Sequence, residues 1–221
     1  MSMSTHRQLL WVAAAGVLGF GSSAMFSGVL HWSRTAFVLV HSVLVTVFMA
    51  AYIRLNRIDL PAQIRRRWVS GTIGGILLGL FLLRGVLSQP GSARPAGAGL
   101  AWALLWFGVV YGAVDALLLN MVPVLGLYGM RLPEELRLGS GRLYWGAVAL
   151  SGSLLVTALY HLGFAEYRGR GLLQPVLGNA IITAGYLLTG NPLASLVAHI
   201  LMHVAAVLHG METTTQLPPH Y

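Results

Sequence analysis

Seven apolar runs, each near the length that crosses a bilayer, leave this sequence few folds to adopt. They lie at roughly 9–30, 35–54, 69–88, 99–124, 143–164, 171–189 and 192–210. About 20 residues rising 1.5 Å each span a hydrocarbon core of roughly 30 Å. Lipid offers the backbone no hydrogen-bond partner, so an apolar segment of that length crosses as a helix. Composition agrees: 56% of the residues are hydrophobic and only 9% are charged. A water-soluble domain has roughly a quarter of its residues charged. Too little charge is present to cover a surface facing water. The expected fold is all-α: a polytopic transmembrane bundle of about seven helices forming one domain over residues 1–221. Three N-terminal helices fill 9–88 and a four-helix core fills 99–210.

The basic residues are all Arg, and the chain has neither Lys nor Cys. Absence of Lys removes Schiff-base chemistry. Absence of Cys removes disulfides, thiolate nucleophiles and iron–sulfur ligation. The net charge of +8 does not point to nucleic acid, because the Arg residues sit in short loops between apolar spans, where they set topology and meet anionic lipid head groups. Arg54, Arg57, Arg65, Arg66 and Arg67 follow the second span, and Arg131, Arg137 and Arg142 follow the fourth. Both loops belong in the cytoplasm by the positive-inside rule, which puts the N-terminus inside and the C-terminus outside. The third span is the least regular, with Arg84 near its end, and Pro123 is a point where the fourth could kink. "PEELR" reads as the start of an amphipathic surface helix.

The later spans are not uniformly apolar. Residues four apart share a helix face, and at that spacing stand Asn191, Ser195, His199 and His203 in the seventh span. Ser153, Thr157 and His161 do the same in the fifth, Asn179 and Thr183 with Tyr186 in the sixth, and Tyr111 with Asp115 in the fourth. Ser, Thr and Asn in such stripes glue helices together through hydrogen bonds of ~1 kcal/mol each. A carboxylate and several imidazoles near the bilayer centre are expensive, and such groups usually face a cavity or a substrate path. Asp115, His161, His199 and His203 are therefore the candidate catalytic residues, with Asn120, Thr157, Asn179 and Ser195 supporting them. His41, mid-helix but without a stripe of its own, reads as a structural or lining residue. If the chain held a bis-His haem, His41 with an imidazole from an opposite helix would be the natural pair.

"TALYHLGF" followed by "GYLLTGNPLASLVAHILMHVAAV" resembles the glutamic intramembrane protease family, the CAAX-processing and bacteriocin-processing (CPBP, Abi) proteins. That family carries EExxxR, FxxxH and HxxxN/D on successive helices, and the likeness covers about residues 108–208. His199 matches the third motif, with His203 where the family has Asn or Asp. His161 matches the second, with Thr157 in place of Phe. Asp115 and Ala116 stand where the first motif has two Glu, and Asn120 where it has Arg. Glu134–Glu135, with Gly139 at the Arg position, sits in a predicted loop and is not the first motif. The resemblance implies a membrane-embedded hydrolase, in a bacterial inner membrane, that activates a water against a membrane-associated peptide or lipid-linked substrate.

Three readings stay open. In one, no metal is bound, Asp115 is the general base, His161 assists it, and His199 with His203 stabilises the oxyanion. In another, His161, His199, His203 and Asp115 hold one zinc or iron ion, the i, i+4 His pair supplying two ligands from one helix face. In the third, the altered first motif marks an inactive scaffold or chaperone subunit of a membrane protein complex.

Overall fold

The computed structural model describes residues 5–129 and 140–218. Arg131, Arg137 and the "PEELR" segment with Glu134 and Glu135 lie outside the described residues. The chain forms a bundle of long helices with no strand among the described residues. They are α1 (Thr5–Val29), α2 (Arg34–Asn56), α3 (Trp68–Leu87), α4 (Gly97–Tyr128), α5 (Ser140–Leu162), α6 (Arg170–Thr189) and α7 (Leu193–His209). The first six are long and apolar enough to cross a membrane, and α7 is a shorter apolar helix of the same bundle. The chain is by this measure an integral membrane protein.

Local sequence sets the ends. Ser33 Oγ accepts from the Ala36 amide to start α2, and Asp59 Oδ1 accepts from Ala62 to start a short surface helix, Leu60–Arg65. Such side chains take up main-chain donors that the first helical turn leaves unpaired. Gly190 closes α6 with φ +65°, and its N–H reaches Tyr186 O. That left-handed cap favours glycine.

The third span, irregular by sequence, is an unbroken helix and a principal support of α7. Gly71, Gly75 and Gly79 lie in one buried row. A Cβ on Gly75 would come within 2.7 Å of Val197 Cβ, and one on Gly79 within 2.9 Å of Leu201 Cβ. On another side, Gly108 and Gly112 of α4 meet Val204 and the His199–Ile200 backbone just as closely. Helix α7 is thus held between two glycine faces, as small residues allow in membranes, where packing rather than water drives association.

Pro123 does not break α4, which continues to Tyr128. Its ladder switches between α and π turns: Tyr111–Asp115 is α-helical, flanked by π turns at Leu104–Val110 and Ala116–Met121. The π turn bonds residue i to i+5, and that change of pitch shapes the site described next.

The bundle has two distinct ends. At one, Asn191 Nδ2 reaches the carbonyls of Gln63, Ile64 and Arg66, and Arg7 donates to Leu55 O. At the other, the C-terminal strap is pinned to the α3–α4 loop and to α2. Gln89 Nε2 donates to Gln216 Oε1 (2.9 Å), Thr215 N donates to Gln89 Oε1 (2.7 Å), and Arg34 Nε donates to Pro218 O (2.7 Å). Tyr167 OH donates to Thr215 O.

Candidate functional site

The polar stripes of α4, α5, α6 and α7 converge, and they divide into two parts. The first is a closed hydrogen-bond network. Asn120 Nδ2 donates to Asn179 Oδ1 and Thr183 Oγ1, both at 2.8 Å. Asn179 Nδ2 donates to Ser153 Oγ (2.9 Å) and Thr157 Oγ1 (2.6 Å). The hydroxyls pass their protons to main-chain oxygens: Thr183 to Asn179, Thr157 to Ser153, and Ser153 to Leu119. All five side chains are buried, and every amide hydrogen has an acceptor.

The second part begins where Asn120 leaves the network. Its two N–H groups are spent on α6, so Oδ1 faces α7 and accepts from His199 Nε2 at 2.8 Å. The His199 proton is therefore on Nε2, and Nδ1 keeps its lone pair. His203, one turn on, brings Nε2 to 3.3 Å from Asp115 Oδ2, close enough for an ion pair but not aligned as a hydrogen bond. Helices α4 and α7 run antiparallel here, pairing His203 with Asp115 and His199 with Asn120. The histidines are four residues apart and their partners five, so an unbroken α-helix would swing Asn120 off this face. The π turn over Ala116–Met121 keeps it in register. Gly112 lets the helices close: a Cβ there would lie 3.1 Å from both His199 O and His203 Cδ2.

Four atoms of this cluster are buried with no hydrogen-bond partner: Asp115 Oδ1, His199 Nδ1, and both ring nitrogens of His203. One such group costs about 1–3 kcal/mol, more when charged, and here four fall together, only His203 Nε2 having an ion-pair neighbour, Asp115 Oδ2. One ligand-capable atom from each of Asp115, His199 and His203 lies within 4.8 Å of the others. The Asn120 carbonyl holding the remote N–H of His199 is the arrangement that orients metal-ligating imidazoles.

His161 is not in that cluster. Its Nδ1 donates to Thr157 O at 2.8 Å, and its ring packs against Tyr160 and Tyr167. Of the four side chains expected together, three cluster and His161 stands apart as a wall residue, because α5 lies across a cavity of about 510 Å³ from α7. That cavity is lined by Asp115, His199, His203, His161, Tyr111 and Asn179, among others. With Nδ1 protonated, the His161 Nε2 lone pair is free for proton transfer. Ser195 takes no part: it donates to Pro192 O within its own first turn. Asn191 likewise works at the helix start, where its Oδ1 accepts from Leu193 N.

Two tyrosines join the site from outside the candidate set. Tyr111 OH bonds Tyr160 OH at 2.7 Å, and the Tyr111 ring meets His203 edge to face at 4.9 Å. Tyr111 was visible on the Asp115 stripe, whereas Tyr160, one residue off the α5 stripe, carried no signal. His41 is fully buried between the rings of Phe37 (5.3 Å, 11°) and Tyr160 (5.1 Å, 20°), with Nδ1 at 2.9 Å from Ser22 Oγ. Both ring faces are covered by aromatic rings, and Nε2 is buried without a hydrogen-bond partner.

No family model matches the chain, and neither a curated protein nor a solved structure does.

Proposed function

We propose that this chain is a membrane-embedded hydrolase in which Asp115, His199 and His203 hold one divalent metal ion at the wall of an intramembrane cavity. The observation that carries this reading is the clustering of three buried ligand-capable side chains, four of whose atoms make no hydrogen bond. A scaffold would be served by the closed network alone and would gain nothing from unpaired groups beside it. A divalent ion in such a site lowers the pKa of a bound water toward 7, making a nucleophile available at neutral pH. Asn120 fixes the tautomer of His199, Tyr111 braces the ring of His203, and His161 moves protons between water and leaving group from the opposite wall. The departures from the glutamic protease motifs are coherent in this light. A carboxylate still stands first, and His203 supplies a ligand where that family has an amide or carboxylate. The Arg-rich end bearing Arg54, Arg57 and Arg65–Arg67 faces the cytoplasm, so the cavity lies in the opposite half of the bundle.

The donor set favours a second reading as well, since two His and one carboxylate also suit a non-haem iron oxygenase. One experiment addresses both. Reconstituted protein is incubated with membrane lipid and peptide extracts in ¹⁸O-water, and separately under ¹⁸O₂, with products read by mass spectrometry. A hydrolase adds label from water in the wild type and not in Asp115→Asn. Label from O₂ would move the site to oxygenase chemistry, and no labelled product in either arm would sink both.

A further inference from the structure

The cavity's shape says what kind of molecule reaches the cluster. Helices α3 and α6 touch where Leu78 meets Gly185, so tightly that a Cβ on Gly185 would lie 2.0 Å from Leu78 Cδ1. Nearer the strap end both helices line the cavity instead, α3 through Leu82 and Gly85 and α6 through Gly178 and Ile181. Leu173 and Leu177, also on its lining, are each 61% exposed. An exposed leucine pair on a membrane-spanning helix faces acyl chains, so this opening is sideways into the bilayer. The aqueous end is roofed by the strap, whose Thr215–Pro218 line the cavity and are tied down through Gln89, Tyr167 and Arg34. At the junction of roof and side opening stand Arg170 and Gln174, both on the lining and both exposed. Arg170 pairs with no carboxylate among the described residues. His203 lies six residues before the end of α7, about 9 Å below this level at 1.5 Å per residue.

We propose, resting on the hydrolase reading above, that the substrate is a lipid with an anionic head group that enters sideways between α3 and α6. Its head group meets Arg170 and Gln174 at the mouth, its chain lies along Leu82, Leu177 and Ile181, and the linkage beneath the head group reaches the cluster. An arginine suits a phosphate because its planar fork donates two parallel hydrogen bonds. A lipid chain asks only for apolar walls, which Leu82, Leu177 and Ile181 supply, whereas a peptide span would also present an array of main-chain polar groups.

The test is a binding measurement that needs no turnover. Full-length Asp115→Asn protein in detergent is titrated with a phosphatidylglycerol carrying a fluorophore on one chain, and in parallel with the matching phosphatidylcholine. One saturable phosphatidylglycerol site per chain is expected. Arg170→Glu, a substitution at an exposed position, should weaken it by about tenfold or more and weaken phosphatidylcholine less, because the choline ammonium offsets the charge of the shared phosphate. Ile181→Trp, which fills the slot, should weaken both lipids. Equal binding by the parent and both variants would mean only a generic lipid belt and would overturn the inference. So would displacement of the probe by an apolar transmembrane peptide whose own binding follows Ile181. Loss of ¹⁸O incorporation with this binding intact would remove the hydrolase and leave the lipid site. Labelled peptide products without lipid binding would do the reverse.

Discussion

Two neighbouring polar regions of this bundle are equally buried and drawn from the same stripes, yet they end in opposite states. Between α5 and α6, Ser153, Thr157, Asn179 and Thr183 satisfy one another and the nearby backbone. Between α4 and α7, Asp115, His199 and His203 leave four atoms without a hydrogen bond. Side chains in the first region have short reach and both donor and acceptor capacity, so they close locally and rigidify the core. Those in the second offer a carboxylate and imidazole lone pairs, which are acceptors in excess of donors. Only a cation or a bound proton donor can close that surplus. Single unpartnered atoms occur elsewhere, as at Ser27, Ser42 and Trp106; what sets this cluster apart is that several fall together on three ligand-capable side chains.

The largest effect that could break this contrast is on the unbalanced side. Asp115→Asn removes the charge that binds a cation while keeping the shape. It should abolish metal retention and cut turnover by more than the roughly 10–100-fold typical of losing a group that merely orients a ligand. Metal content and rate, measured together, check this; unchanged content would return Asp115 to a structural role. Asn120→Leu cuts the link between the regions and should be felt in both. It strips acceptors and donors from Asn179, Thr183 and His199 at a cost of about 2–4 kcal/mol, and lowers metal affinity by roughly 10–100-fold. Thermal unfolding in detergent and competitive metal titration give the two numbers.

Smaller changes sharpen the boundary. Thr157→Val takes one acceptor from Asn179 Nδ2 and should lower stability by about 1 kcal/mol, with metal affinity unmoved. A larger fall in metal affinity than in stability would show that the network is part of the site. Ser195→Ala, which touches only Pro192 O, should stay within about 0.5 kcal/mol of wild type and leave both metal content and rate alone.

The spans and stripes were legible because both depend on local periodicity, which a single sequence displays. Asp115, His199 and His203 stood out as costly groups on apolar helices, and the structure brings them together. The partner of His199 was harder to read. Asn120 is five residues from Asp115, a spacing that serves one face only in a π turn, and nothing local announced that turn. Asn191 and Ser195 are turned to the helix start rather than to the cluster. Spacing placed them on the histidine stripe, but Pro192 starts the helix between them, and their side chains close its first turn. His161 shares a cavity with the cluster rather than a coordination sphere, a separation set by how far α5 stands from α7. The packing of α7 rests on Gly71, Gly75, Gly79, Gly108 and Gly112, which mark close approach without saying to what. The cavity roof forms where the strap meets Tyr167 of the α5–α6 loop, a meeting no periodicity encodes.

The most direct test of the account is elemental analysis by mass spectrometry on detergent-purified protein, wild type beside His203→Ala. About one zinc or iron per wild-type chain and none in the variant is the result the unbalanced cluster predicts. Wild-type protein that binds neither metal, even when supplied with both in excess, would contradict it.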